Sequence, residues 1–107
     1  MYYPPVWNLL VILCASKEEQ RAHDAAALLV AQIDETKELR RDRVFPIGPA
    51  DAAIAKVSDV YKKVVYIKAE KYQALVGLKD MLEEYMRDNR SFSDVIVQFD
   101  FNPAGSF

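Results

Sequence analysis

Residues Leu9 to Ala15 (Leu-Leu-Val-Ile-Leu-Cys-Ala) form an unbroken apolar run. A run of strand length without polar alternation suits a central strand that is covered on at least one face. It is far shorter than the roughly 20 residues that cross a bilayer, and no basic segment precedes it as a secretory leader requires. The expectation is a soluble chain with no membrane partner. The only cysteine, Cys14, lies inside the run, so neither an intrachain disulfide nor a cysteine-based zinc site can form, and a reducing cytoplasm is the expected compartment. Nothing cationic stands beside Cys14 in sequence, so it reads as a small buried hydrophobe.

With Asn8 to Ala15 as the first strand, the rest of the chain falls into alternating elements. Ser16-Lys17-Glu18-Glu19 has the spacing of a capping box, which opens a helix. Ala22, Ala26, Leu29 and Ile33 make one apolar stripe along it, and the helix is expected to end near Asp42 and Arg43. Val44 to Ala50 holds Pro46, Gly48 and Pro49 and reads as a connection, leading into a second strand at Ala53 to Ser58. Asp59, Val60 and Tyr61 read as a turn, and Lys62 to Ala69 is a β-branched and aromatic third strand.

A second helix is expected over Lys71 to Arg87, with Tyr72, Leu75, Leu78, Leu82 and Tyr85 on its apolar stripe and Asn89 as its stop. Val95 to Phe101 alternates as a fourth strand, with Val95, Val97, Phe99 and Phe101 facing one way. Asn102-Pro103 ends it. The order is β-α-β-β-α-β, an α+β, ferredoxin-like split plan with two helices on one face of a four-stranded antiparallel sheet. A chain of 107 residues supports one such domain. On the third strand, Lys63, Val65, Ile67 and Ala69 are the set expected beneath the helices. Lys62, Val64, Tyr66 and Lys68 are then left on the opposite face, with Leu10, Ile12 and Ile96 expected on or near it.

Catalytic chemistry finds no footing in these residues. His23 is the only histidine and the chain has three glycines, which excludes a histidine pair for a metal and a glycine-rich phosphate loop. Glu83 and Glu84 are neighbours on a helix and do not face each other; like Asp100, they read as solvated carboxylates. The charge is uneven around its net of −2: five lysines (56, 62, 63, 68 and 71) against three acids make residues 51–71 basic, while residues 72–107 are acidic. Lysines interleaved with Tyr61 and Tyr66 suit either a strand that tracks a phosphate backbone and stacks bases, or a plain solvated or protein-contacting face.

Four stretches, in order, resemble one family. They are Tyr3-Pro4-Pro5, Ile47-Gly48-Pro49-Ala50 with Ala53-Ile54-Ala55-Lys56, Val60-Tyr61-Lys62-Lys63, and Asp100-Phe101-Asn102-Pro103. Together they look like the C-terminal domain of the bacterial replication-restart helicase PriA, also called primosomal protein N-prime, over nearly the whole chain. Two positions depart from the family pattern. Lys62 stands where the family has arginine, keeping the charge without the forked geometry, and Asn102 replaces the second acid of Asp-x-Asp-Pro.

The resemblance implies a fold like that of ribosomal protein S10, with residues 1–7 as a lead-in from the helicase core, 8–103 as the domain and 104–107 as a tail. It implies a non-catalytic accessory domain with no cofactor of its own, the ATP and zinc sites lying upstream. The implied partners are forked or single-stranded DNA, the helicase core, single-stranded DNA-binding protein and other primosome proteins. For DNA, the residues singled out are Lys56, Lys62, Lys63 and Lys68 as phosphate contacts and Tyr61 and Tyr66 as stacking groups. The rival reading is a purely structural domain that docks on the helicase core without touching DNA. A small-molecule-sensing domain on the same plan lacks a glycine-rich ligand loop to support it.

Overall fold

Strand β1 (Asn8–Ser16) is flanked on both sides, by β3 (Val60–Ala69) and by β4 (Ile96–Phe101), and β2 (Val44–Val57) pairs with the far side of β3. A computed structural model describes residues 8–37, 44–57 and 60–101, with the backbone alone at 36–37 and 51–57. Every pairing is antiparallel and the sheet order is β2-β3-β1-β4. Helices α1 (Glu19–Lys37) and α2 (Tyr72–Asp88) both pack on one face, which completes the ferredoxin-like split plan. The lead-in at 1–7, the first helix's end near 42–43, Ser58 and Asp59, and the closing residues 102–107 lie outside the described residues.

The core is the layer between helices and sheet. Leu10, Ile12 and Cys14 of β1 meet Val65, Ile67 and Ala69 of β3, Ala25, Ala26, Leu29 and Ile33 of α1, and Ala74, Leu75, Leu78 and Leu82 of α2. The alanine-rich stripe of α1 has no bulk to hold the helix off the sheet, so its backbone can approach closely. Val97, Phe99 and Phe101 close the β4 side from half-buried positions. Burial pushes the Cys14 thiol up to about 12, because the thiolate would have to form where water is excluded.

Val60 and Tyr61, read as part of a turn, are the first residues of β3, paired with Val57 and with Ser16 and Lys56, and two further local readings are corrected. Ser16 and Glu19 do not make a capping box: Ser16 Oγ accepts from the Glu18 amide at 3.2 Å, and the Glu19 carboxylate pairs with Lys63 of β3 at 3.6 Å. Because Ser16 ends a strand, its hydroxyl reaches only the amide two residues on. The second correction concerns 44–50, which is the first half of a 14-residue strand rather than a connection.

Its prolines are tolerated because β2 is an edge strand, where a missing amide need not break a ladder. From Ile47 to Ala50 three steps on β2 span two on β3, from Tyr66 to Val64, so the strand bulges at Gly48 and Pro49. Gly48 sits at φ +123, and a Cβ there would lie 2.9 Å from the Val64 carbonyl oxygen, so glycine is required.

At the other end of the sheet, Arg21 of α1 holds the segment that leads into β4. Its guanidinium grips Asp94 through two bonds of 2.7 and 3.2 Å, donates to the Ser91 carbonyl, and lies 4.8 Å from the Phe92 ring centre. The hydrogen bond from Arg21 holds the Asp94 carboxyl below its usual range. Asn89 ends α2 and its Oδ1 accepts from the Ser91 amide at 3.2 Å, which starts the short 3-10 turn Arg90–Phe92.

Two outcomes are expected in the laboratory. Leu78→Ala should lower the unfolding free energy by about 2–5 kcal/mol in urea titrations, because it opens a cavity under α2. Ile96→Ala, at a side chain 62% exposed, should stay within about 0.5 kcal/mol. Equal effects would contradict the placement of the core. Independently, the Cys14 thiol should react with a disulfide reagent at pH 8 at least roughly a hundredfold more slowly in the native chain than in urea, since it reacts only through opening; equal rates would contradict its burial.

Candidate functional site

The face of the sheet that carries no helix is built in cross-strand rows. Antiparallel partners share a face, so the ladder itself says which side chains stand together. Phe45, Lys68 and Leu9 form one row; Ile47, Tyr66, Val11 and Asp100 the next; then Ala50, Val64, Leu13 and Gln98; and then Lys62, Ala15 and Ile96.

Its middle is apolar. Val11 and Val64 are buried, and Leu9, Leu13 and Tyr66 pack against them. Leu10 and Ile12, expected on or near this face, belong to the helix-side core instead; alternation puts Leu9, Val11 and Leu13 here. Ile96 is on it, as expected.

Of the six residues singled out for DNA, five divide between the two faces. Lys62, Tyr66 and Lys68 share the helix-free face, Lys68 exposed and the other two half-buried. Lys62 and Lys68 lie six residues apart on one strand, a separation of roughly 20 Å. Tyr61 pairs with Ser16 and Lys63 with Cys14, which places both on the helix-bearing side near the start of α1. There Lys63 is only 12% exposed and is engaged by Glu19. Lys56 lies opposite Tyr61 in the ladder.

The charge on the helix-free face is mixed. Lys68 and Lys62 mark the two ends of β3, Asp100 lies across on β4, and Glu70 follows Lys68 at the strand end, where its carbonyl accepts from Asn8 Nδ2 at 3.1 Å.

Phe45 and Ile47 were missed by sequence reasoning because they lie in the stretch read as a connection. They are 40% and 51% exposed and stand directly opposite Lys68 and Tyr66. The alternation Phe-Pro-Ile was the available signal, masked by the prolines. Elsewhere, a concavity of about 440 Å³ under the end of α2 is lined by Met86, Phe92, Val97 and Phe99 with Arg87 and Arg90 at its edge. Among the described residues no group of three or more histidine, cysteine, aspartate or glutamate side chains could hold a metal ion. No helix among them is long and apolar enough to cross a membrane. His23 is exposed on α1.

Among solved structures, the de novo designed protein Foldit4 is similar at TM-score 0.57 and 12% identity, over 92% of this chain and 99% of that one. A second designed protein, with a ferredoxin fold, gives 0.56 at 10% identity, over 94% of this chain and 89% of that one. A hydantoinase/carbamoylase family amidase from Burkholderia ambifaria gives 0.59 at 11% identity, over 94% of this chain but 28% of the amidase. At such identities the likeness is one of fold alone. No curated protein sequence matches the chain. The model of the primosomal protein N C-terminal domain matches residues 1–104. On that match, which takes in both helices and all four strands, the chain belongs to the primosomal protein N C-terminal domain family and is a primosomal replication-restart domain.

Proposed function

We propose that the domain serves a cytoplasmic replication-restart helicase as a non-catalytic accessory module, contacting single-stranded or forked DNA and neighbouring helicase domains through the helix-free face of its sheet. The observation that carries the DNA reading is the placement of Lys62, Tyr66 and Lys68 on that one face of β3. A lysine ammonium neutralises a phosphate as a point charge, while a tyrosine ring offers a face on which any base can stack. The two lysines, roughly 20 Å apart, span more than one nucleotide, and the tyrosine lies between them. In this reading the ATP and zinc sites lie upstream in the parent helicase, and single-stranded DNA-binding protein and other primosome proteins are further partners.

A second reading has its own support. Val11, Val64, Leu9 and Leu13 give the face an apolar middle, which suits docking on another domain better than it suits a phosphate backbone. The two uses are compatible if the lysine-bearing strand end stays accessible when the middle is covered.

Titration of labelled oligothymidine and of a labelled fork at about 50 and 200 mM salt separates them. For DNA contact, Lys62→Glu with Lys68→Glu should weaken binding and flatten the plot of log K against log salt, by about 0.7 per lost single-strand phosphate contact. Lys63→Glu, a residue already engaged by Glu19, should have the smaller effect. Absence of binding at low salt would eliminate the DNA reading and leave docking.

A further inference from the structure

We infer that Phe45, on the edge strand β2, is a base-stacking residue for single-stranded nucleic acid and works as a pair with Lys68. The inference rests on the DNA reading above and adds the group that would hold a base.

The edge row of the helix-free face sets Phe45 directly opposite Lys68, and the next row sets Ile47 opposite Tyr66. Side chains so paired have Cβ atoms about 4.5–5.5 Å apart, so an aromatic ring and an ammonium are presented together. Phe45 is 40% exposed, Ile47 51%, and Lys68 is exposed as well. The exposed large apolar side chains among the described residues are these two, Tyr72 and Ile96, and only Phe45 and Ile47 share a strand and a face.

Three features favour a nucleic-acid strand over a protein strand as the occupant. Pro46 and Pro49 remove amides from β2, and the bulge at Gly48 and Pro49 interrupts its register, so the edge is poorly suited to main-chain addition of another strand. Recognition there falls to side chains. The nearer acid is Glu70, two residues beyond Lys68 and past the end of β3, while Asp100, which shares the row of Ile47 and Tyr66, stands three strands from β2 on β4, at roughly 14 Å; Lys68 alone of these stands in the row of Phe45. The neighbouring cation is therefore Lys68, placed to meet a phosphate next to a base stacked on Phe45. Ile47 extends the apolar platform on the β2 side of Tyr66.

The test uses the full chain and oligothymidine carrying a single 2-aminopurine, whose fluorescence changes when it stacks on a ring. Phe45→Leu keeps an apolar side chain and removes the ring. It should weaken binding about tenfold, leave the salt dependence of binding as it is in the native chain, and abolish the 2-aminopurine change. Phe45→Trp should restore affinity and the fluorescence change. Lys68→Glu should instead lower the salt slope.

If the native chain binds with a salt slope that falls in Lys68→Glu, while Phe45→Leu binds and reports like the native chain, the stacking inference is wrong and the DNA reading stands. If the native chain does not bind the oligonucleotide at low salt, both are wrong, and the corner is a contact for another protein domain. If Phe45→Leu lowers affinity and salt slope together, the ring supports the sheet rather than a base, which also overturns the inference.

Discussion

The architecture depends on burying β1 from both sides. Leu10, Ile12 and Cys14 are fully buried beneath the helices, and Val11 is buried on the opposite face against Val64. A strand with apolar side chains on both faces must have ladder neighbours on both edges and cover above it. β3 and β4 supply the neighbours, and α1 and α2 supply the cover on one face. At about 0.8 kcal/mol per buried methylene, Leu10 and Ile12 are a substantial share of what holds the sheet to the helices. The lysines of β3 stand where they do because β3 is registered against this strand.

That register also explains why the candidate site is smaller than the basic stretch in the sequence. Lys62 and Lys63 are adjacent, so they must project to opposite faces. Lys63 ends beside Glu19 at the start of α1, while Lys62 shares the helix-free face with Tyr66 and Lys68. A basic segment that is continuous along the chain is thereby split between an ion pair that tethers a helix and a sparse line on the other side. The net charge of −2 means that attraction to DNA would be local to this strand and sensitive to salt.

Much of the fold was legible because its signals are periodic. The stripes Ala22-Ala26-Leu29-Ile33 and Leu75-Leu78-Leu82 and the alternation of Val97, Phe99 and Phe101 each specify an element and its buried side, whereas the unbroken run in β1 specifies a strand but not which of its faces lies beneath the helices. The edge strand β2 was not legible in its first half, because Pro46, Gly48 and Pro49 are ordinarily signals against a strand. Only its place at the edge, a tertiary fact, makes them acceptable. Missing that half hid Phe45 and Ile47, and with them one corner of the candidate surface. The capping-box spacing at Ser16 misled for a related reason: the motif assumes that its first residue is free to start a helix, and here it is held in a strand.

In the proposed function it is the helix-free face that meets DNA. Amide chemical-shift mapping of the isotope-labelled chain, titrated with a short oligothymidine at low salt, addresses it directly, since it reports every strand and helix at once. Binding there should shift amides along the rows of that face, centred on Phe45, Tyr66 and Lys68 and extending toward Lys62, with α1 and α2 nearly unchanged. Shifts confined to the helices or to the concavity under α2, or no shifts at all, would contradict it.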